Sequence, residues 1–104
     1  MSKREQDLDR DVVVETEKRL KRPSLFKVLL HNDDYTTKEF VVQILEAVFN
    51  KDNTEAVQIM LHVHRNGVGV AGVYPFEVAE TKVKTVEGLA QQYEYPLKCS
   101  VEEE

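Results

Sequence analysis

A run of three hydrogen-bonding side chains, Asn32-Asp33-Asp34, holds the residues best suited to chemistry, and we call it the polar loop. It brings an amide oxygen and two carboxylates into one short stretch. His64 follows Met60 by four residues, so on a helix it shares the face of that residue near the helix C-terminus. If His64 meets the polar loop at the rim of the core, the cluster suits a ligand with a positive charge and several donors. The alternative is a loop that only caps a helix, beside an ordinary core histidine.

Catalytic chemistry has weaker support in these residues. Asp33 and Asp34 are adjacent, so in an extended loop their side chains point apart, which is poor geometry for a paired acid and base. His62 and His64 are two positions apart on a predicted helix, whereas a zinc-binding pair needs a spacing of about three or four. A metal-dependent hydrolase that uses His31, His64 and Asp34 stays open as the alternative function. We expect no catalytic residue, no metal and no cofactor.

Two predicted elements hold the polar loop between them. The run over residues 25–30 is short and largely apolar, which predicts a strand that ends just before the loop. Thr36 and Glu39 have the spacing of a capping box with Thr36 as the N-cap, and an apolar stripe starts at Phe40. The pattern predicts a helix over about residues 37–50.

The remaining pattern indicates four more elements. Asp52 and Glu55 have the spacing of another helix cap, and Asn66-Gly67 is a typical left-handed end for the helix between them. Apolar residues occupy most of the circumference of that helix, which predicts a central helix covered on both sides. The next element is a strand over 68–74, whose glycines imply a bulge or a close approach. A third helix and a strand over 97–101 come after it. We therefore expect a small open-faced α/β sandwich of order β-α-α-β-α-β, with three helices on one side of a three-stranded sheet.

Size and composition narrow the class of protein. The chain has 104 residues, the size of one domain. Residues 1–22 mix charges of both signs and contain no aromatic residue, which predicts a flexible N-terminal extension before a core domain over 23–104. A net charge of −5 disfavours nucleic acid as a partner. No apolar stretch approaches the roughly 20 residues of a membrane span and no signal region is evident, so we expect no membrane contact and a cytoplasmic location. Cys99 is expected to be a small buried hydrophobe.

Five segments together resemble the ClpS family, the bacterial adaptors of the ClpA ATPase and its protease. They lie, in order, at residues 27–36, 60–64, 72–74, 77–83 and 96–99. The resemblance rests mainly on two long motifs, Asn-Asp-Asp-Tyr-Thr and Glu-Val-Ala-Glu-Thr-Lys-Val. It implies that the protein binds N-degrons, which are substrates that begin with Phe, Leu, Tyr or Trp, and delivers them for degradation without catalysing a reaction.

The resemblance also implies roles for individual residues. The α-amino group of the substrate is expected at Asn32, Asp33, Asp34 and His64. The side chain of its first residue is expected in a pocket lined by Thr36, Lys38, Val41, Met60, Val63 and Leu97. Glu77 and Lys82 correspond to the face that docks on the N-terminal domain of a ClpA-type unfoldase, and residues 1–22 correspond to the extension that engages the unfoldase. We expect a monomer.

Lys38 departs from the family pattern, which commonly has a methionine at this place that excludes β-branched first residues. A lysine lays its methylenes along apolar surface and extends its ammonium into water, so it still forms a wall. Its charge is expected near the substrate amine, which predicts altered discrimination between Leu and Ile or Val. The alternative is that Lys38 is simply an exposed residue of the first helical turn.

Overall fold

The computed structural model describes residues 24–104, and the extension expected over residues 1–22 lies outside the described residues. Six elements follow one another in the predicted order, β-α-α-β-α-β. They are β1 (Leu25–His31), α1 (Lys38–Ala47), α2 (Asn53–Asn66), β2 (Val68–Pro75), α3 (Phe76–Gln92) and β3 (Lys98–Glu103). In the described part of the chain the strands form one three-stranded sheet, as expected.

The sheet has β1 at its centre, paired antiparallel with β2 on one side and with β3 on the other. Its inner face carries Val28 and Leu30, which are completely buried in the core. Its outer face carries the half-buried Leu29 and the exposed Val70. Because strand residues alternate between the two faces, the helices cover one face and leave the other open, which confirms the predicted sandwich.

Glycines let β2 approach its neighbours closely. A Cβ atom on Gly69 would lie only 2.7 Å from Cγ2 of Val63 on α2, so the small residue is required for this contact. Further along β2, the pairing with β1 shifts register between Val28 and Leu29, which leaves Ala71 as the extra residue of a bulge. The prediction of a bulge or a close approach is therefore confirmed in both forms.

The first helix starts later than predicted and has a different cap. Thr37, not Thr36, is the N-cap, and its hydroxyl accepts an amide hydrogen bond from the first turn at 3.1 Å. Thr36 is engaged elsewhere, because its hydroxyl donates to Oδ2 of Asp33 at 2.7 Å. The helix ends at Ala47 rather than near Asn50, which adopts a φ of 56°.

The prediction that the second helix is central is wrong. Helix α2 fully buries only Ala56 and Val63, because it packs mainly against α1 and β2 and leaves its other side to solvent. Its longer apolar side chains are half-buried, namely Val57, Ile59, Met60 and Leu61. Helix α1 is the more enclosed helix, with Phe40, Val41, Ile44 and Leu45 buried.

Both ends of α2 are as predicted. The amide of Glu55 donates to the side chain of Asp52 at 2.8 Å, so Asp52 is the N-cap. Gly67 ends the helix in the left-handed conformation, with a φ of 86°. Within residues 24–104, every helix is too short or too polar to cross a bilayer.

Cys99 is buried in the core, as predicted for a small hydrophobe. Burial, together with the negative charge of Glu87 as the smaller cause, raises the pKa of its thiol to about 12. Since the thiolate is the reactive form, Cys99 is unreactive at neutral pH.

The left-handed end of α2 can be tested by substitution. Gly67→Ala is expected to lower the free energy of unfolding by about 1–2 kcal/mol, because a Cβ atom is disfavoured at positive φ. Nothing lies within 4 Å of that Cβ position, so the loss comes from backbone strain and not from a clash. The measurement is urea denaturation of both proteins.

Gly88→Ala is the matched control for this prediction. Gly88 lies inside α3, also with nothing within 4 Å of its Cβ position, but its φ is not positive. Alanine is therefore expected to raise the free energy of unfolding by about 0.8–1 kcal/mol there. The same sign of effect at Gly67 and Gly88 would contradict the argument.

Candidate functional site

The polar loop begins where β1 ends, and a backbone hydrogen bond attaches it to the end of α2. The amide of Asn32 donates to the carbonyl of Gly67 at 2.8 Å. Gly67 in turn donates its own amide to the carbonyl of Val63 at 2.8 Å, which ends the helix. His64 lies in the last turn of α2. One contact between main-chain groups far apart in sequence therefore brings the polar loop beside His64.

Asp33 holds the polar loop in shape. Its Oδ1 accepts the amides of Tyr35 at 2.8 Å and Thr36 at 2.6 Å, and its Oδ2 accepts the Thr36 hydroxyl at 2.7 Å. Partial burial raises the pKa of the Asp33 carboxyl, but the hydrogen bonds from Thr36 and Tyr35 together outweigh it, so the pKa lies below its ordinary value of 3.8. The carboxylate is therefore ionised at neutral pH and is used to close an Asx turn.

The other acceptors of the cluster are free. Asn32, Asp34 and His64 are exposed, and their side chains form no hydrogen bond or ion pair with another residue in 24–104. An amide oxygen, a carboxylate and an imidazole nitrogen are therefore available to a ligand, and each offers lone pairs. Since water already solvates these groups, a ligand must replace that water with well-placed donors.

These free acceptors stand at the rim of a cleft of about 390 Å³, which we call the acceptor cleft. Its walls come from the polar loop, the start of α1 and the end of α2. Val41 and Val63 are buried and Met60 is half-buried, so they give the cleft an apolar wall. A ligand that is cationic at one end and hydrophobic at the other fits this combination of surfaces.

The acceptor cleft gathers all the residues expected around the first residue of a substrate, except Leu97. They are Asn32, Asp33, Asp34, Thr36, Lys38, Val41, Met60, Val63 and His64. Leu97 is buried just before β3 and lines a neighbouring cavity of about 660 Å³, with Glu87 and Cys99. The structure does not place its side chain on the wall of the acceptor cleft.

Three residues of the cleft wall were missed by the sequence analysis. They are Tyr35, Thr37 and Glu39. Each is a sequence neighbour of a predicted residue, in the loop or in the first turn of α1, and that adjacency is the one signal that the sequence offers. Tyr35 is 78% exposed, so it stands at the mouth of the cleft and not in the core.

The residues of the alternative metal site are not brought together. Among residues 24–104, no group of three or more His, Cys, Asp or Glu side chains is placed to hold a metal ion. Nε2 of His31 lies 2.7 Å from Oγ of Ser100, whereas His64 lines the acceptor cleft. The geometry therefore gives no support to a hydrolase that uses His31, His64 and Asp34.

Glu77 and Lys82 lie on a different surface. With residues from the end of α1 they line a cavity of about 630 Å³, which we call the helix-end cavity. Nζ of Lys82 donates to the carbonyl of Val48 at 2.7 Å and lies 5.5 Å from the centre of the Tyr74 ring. Lysine amines commonly satisfy the free carbonyls at helix ends, so Lys82 stabilises the end of α1. Glu77 is exposed.

Comparison with known proteins gives one consistent family. Residues 21–100 match the family model described as ATP-dependent Clp protease adaptor protein ClpS. The ATP-dependent Clp protease adapter protein ClpS of Myxococcus xanthus is 60% identical over 98 residues, with 92% of each chain covered. That of Desulfatibacillum aliphaticivorans is 62% identical over 94 residues, with 90% of each chain covered. The solved structure of Agrobacterium tumefaciens ClpS2 bound to L-phenylalaninamide is similar with a TM-score of 0.77 and 41% identity, and the match covers 80% of this chain and all of that one.

The different uses of the two adjacent carboxylates can be tested. Asp33→Ala is expected to lower the free energy of unfolding by about 1 kcal/mol, as for a lost helix-cap carboxylate, because two amides and a hydroxyl lose their acceptor. Asp34→Ala is the matched control and is expected to change it by less than about 0.5 kcal/mol. Urea denaturation of the three proteins measures both effects.

The pH dependence gives a second readout for Asp33. Because folding lowers the pKa of this carboxyl, its contribution is fully present above the ordinary value of 3.8 and is lost as the pH falls through the folded value. The difference in stability between wild type and Asp33→Ala should therefore shrink below about pH 4. A difference that stays constant into strong acid would contradict the assignment.

Proposed function

Because the chain belongs to the ClpS family of Clp protease adaptors, we propose that it binds proteins with a bulky hydrophobic first residue and a free α-amino group. We further propose that it delivers them to a ClpA-type ATPase and its protease, and that it acts as a monomer in the cytoplasm without catalysing a reaction. The observation that carries the proposal is the acceptor cleft, in which free acceptors border an apolar wall.

The acceptors suit the start of a polypeptide chain. An α-amino group has a pKa of about 7.7–8.0, so at neutral pH it is mostly an ammonium with three donors. Asn32, Asp34 and His64 offer three acceptors of different types at the rim of the cleft. Asp33 supports them by fixing the loop, since its own oxygens are already used. The ligand of the Agrobacterium ClpS2 structure, L-phenylalaninamide, combines a free α-amino group with a Phe side chain.

Neither end of such a ligand is sufficient by itself. Burial of a Leu or aromatic side chain contributes roughly 1.5–3 kcal/mol, and each hydrogen bond to a charged group contributes roughly 1.5–3 kcal/mol. Micromolar binding needs about 8 kcal/mol after the association entropy has been overcome. The protein should therefore require both the free amine and the bulky side chain.

The walls beside the first side chain bear on selectivity. Lys38 lines the acceptor cleft and is exposed, so its methylenes are proposed to form one side of the pocket while its ammonium stays in water. Leu97 is buried beside a neighbouring cavity, so it is proposed to support the wall of the acceptor cleft from the core side. The charge of Lys38 is proposed to lie near the substrate amine, so discrimination between Leu and the β-branched Ile and Val is expected to differ from that of relatives with methionine.

The helix-end cavity is the proposed docking face for the N-terminal domain of the unfoldase. Glu77 is exposed there and presents a negative charge to a partner. Lys82 has an additional task, since its amine binds the carbonyl of Val48. Residues 1–22, which lie outside the described residues, are proposed to engage the unfoldase during delivery.

The binding proposal is tested by fluorescence anisotropy with peptides that differ only at the first position. A peptide that begins with Phe and has a free amine is expected to bind with a Kd of about 1 μM. N-acetylation, or Ala at the first position, is expected to abolish measurable binding, because each removes one of the two required contributions. Equal affinity for the acetylated and the free Phe peptide would disprove the proposal.

Two histidine variants locate the amine site. His64→Ala is expected to weaken binding of the Phe peptide by about tenfold or more, because a hydrogen bond to a charged group is lost. His62→Ala is the matched control, since His62 is exposed on the same helix but does not line the acceptor cleft. If both variants bind the peptide equally well, the amine lies elsewhere.

The docking proposal is tested with the N-terminal domain of a ClpA-type unfoldase. Glu77→Lys is expected to weaken its binding by about tenfold or more, because a reversed charge meets the complementary surface. The affinity for the Phe peptide should stay unchanged. Glu80→Lys, an exposed position on the same helix outside the helix-end cavity, is the control for net charge. Equal weakening by the two variants would show that net charge matters and this face does not.

A further inference from the structure

A second hollow continues the acceptor cleft on the other side of the polar loop. This cavity of about 350 Å³, which we call the loop cavity, shares residues 32–35 with the acceptor cleft. Its remaining walls are His31, Pro96 and Lys98, and the same three residues also border the cavity of about 660 Å³ beside β3. The loop cavity therefore adjoins the acceptor cleft through the polar loop and the cavity beside β3 through His31, Pro96 and Lys98.

This inference rests on the proposed function. Under that function, the substrate chain is the natural occupant of the loop cavity. A substrate whose amino group lies at the polar loop must continue away from the acceptor cleft. Successive Cα atoms are about 3.8 Å apart, so the second residue still lies beside the loop. The loop cavity is the hollow that adjoins the loop at this place, and its volume is sufficient for one side chain.

The charged side chains that line the loop cavity are the carboxylates of Asp33 and Asp34 and the ammonium of Lys98. Asp33 accepts three hydrogen bonds from its own loop, and Nε2 of His31 lies 2.7 Å from Ser100. Asp34 faces the ammonium of the bound substrate in the proposed complex. Lys98 is exposed and forms no ion pair with any residue of the described part of the chain. Its ammonium is therefore the charge available to a substrate side chain.

We propose that Lys98 is a specificity-determining residue, which favours an acidic side chain at the second position of the substrate. Lys98 lies at the start of β3, an edge strand of the sheet, so the pairing with His31 fixes its Cα, and its side chain is exposed. A contact of this kind is solvent-exposed and screened by salt.

The test compares two peptides of equal shape, Phe-Asp and Phe-Asn at the first two positions, followed by the same sequence. Wild type is expected to bind the Asp peptide about two- to fivefold more tightly at low salt, as for an exposed ion pair. Lys98→Met should bring the ratio of the two affinities close to one, and Lys98→Glu should reverse it. High salt should reduce the ratio for wild type.

A matched variant, together with the peptides that differ only at the first position, distinguishes failure of this inference from failure of the proposed function. Lys84→Met removes one charge from an exposed position on α3 that borders neither the acceptor cleft nor the loop cavity, so it should leave the wild-type ratio intact. An equal change in Lys84→Met and Lys98→Met, or no preference in wild type, would overturn the role of Lys98 while Phe-dependent binding persists. If no Phe peptide binds at all, both this inference and the proposed function fail.

Discussion

The hydrogen bond from the amide of Asn32 to the carbonyl of Gly67 is the contact on which the site depends. It joins the end of β1 to the end of α2, two points separated by more than thirty residues of sequence, and it does so through main-chain atoms at 2.8 Å. The carbonyl of Gly67 is available because the left-handed φ of 86° turns the chain out of the helix. A backbone contact of this kind uses no side chain. The side chains of Asn32, Asp34 and His64 are therefore not needed to hold the junction together.

Neighbouring residues at that junction have different roles. Asp33 is used for structure, since both of its oxygens accept hydrogen bonds from the loop. Asp34 and Asn32 are exposed, so water solvates their oxygens. A loop that is already ordered loses little conformational freedom when a ligand binds, so more of the contact energy appears as affinity. The same reasoning explains why two adjacent carboxylates do not form an acid and base pair.

The sequence was sufficient for the order of the elements, because strands and helices leave local periodic patterns. It was insufficient where two local patterns competed. Thr36 and Thr37 are equally good caps, and the choice of Thr37 follows from the bond between Asp33 and Thr36, a detail of loop geometry. The apolar circumference of α2 suggested a buried helix, but burial depends on how many layers the chain can supply. The convergence of the polar loop with His64 has no local signature, so only the family resemblance placed them together. The resemblance gave no sign that Leu97 would line a different cavity.

The proposed function requires that cargo and partner be held at the same time, and the course of α1 places the two proposed surfaces apart. Thr37, Lys38 and Val41, at the start of the helix, line the acceptor cleft, whereas Ala47 and Val48, at its end, line the helix-end cavity. A ten-residue helix is about 15 Å long, so the two surfaces are separated by the length of a helix whose inner face is buried in the core. The amine of Lys82 fixes the far end of this helix through the carbonyl of Val48. The two proposed surfaces therefore lie at opposite ends of one helix, and their separation is fixed by the same core that folds the domain.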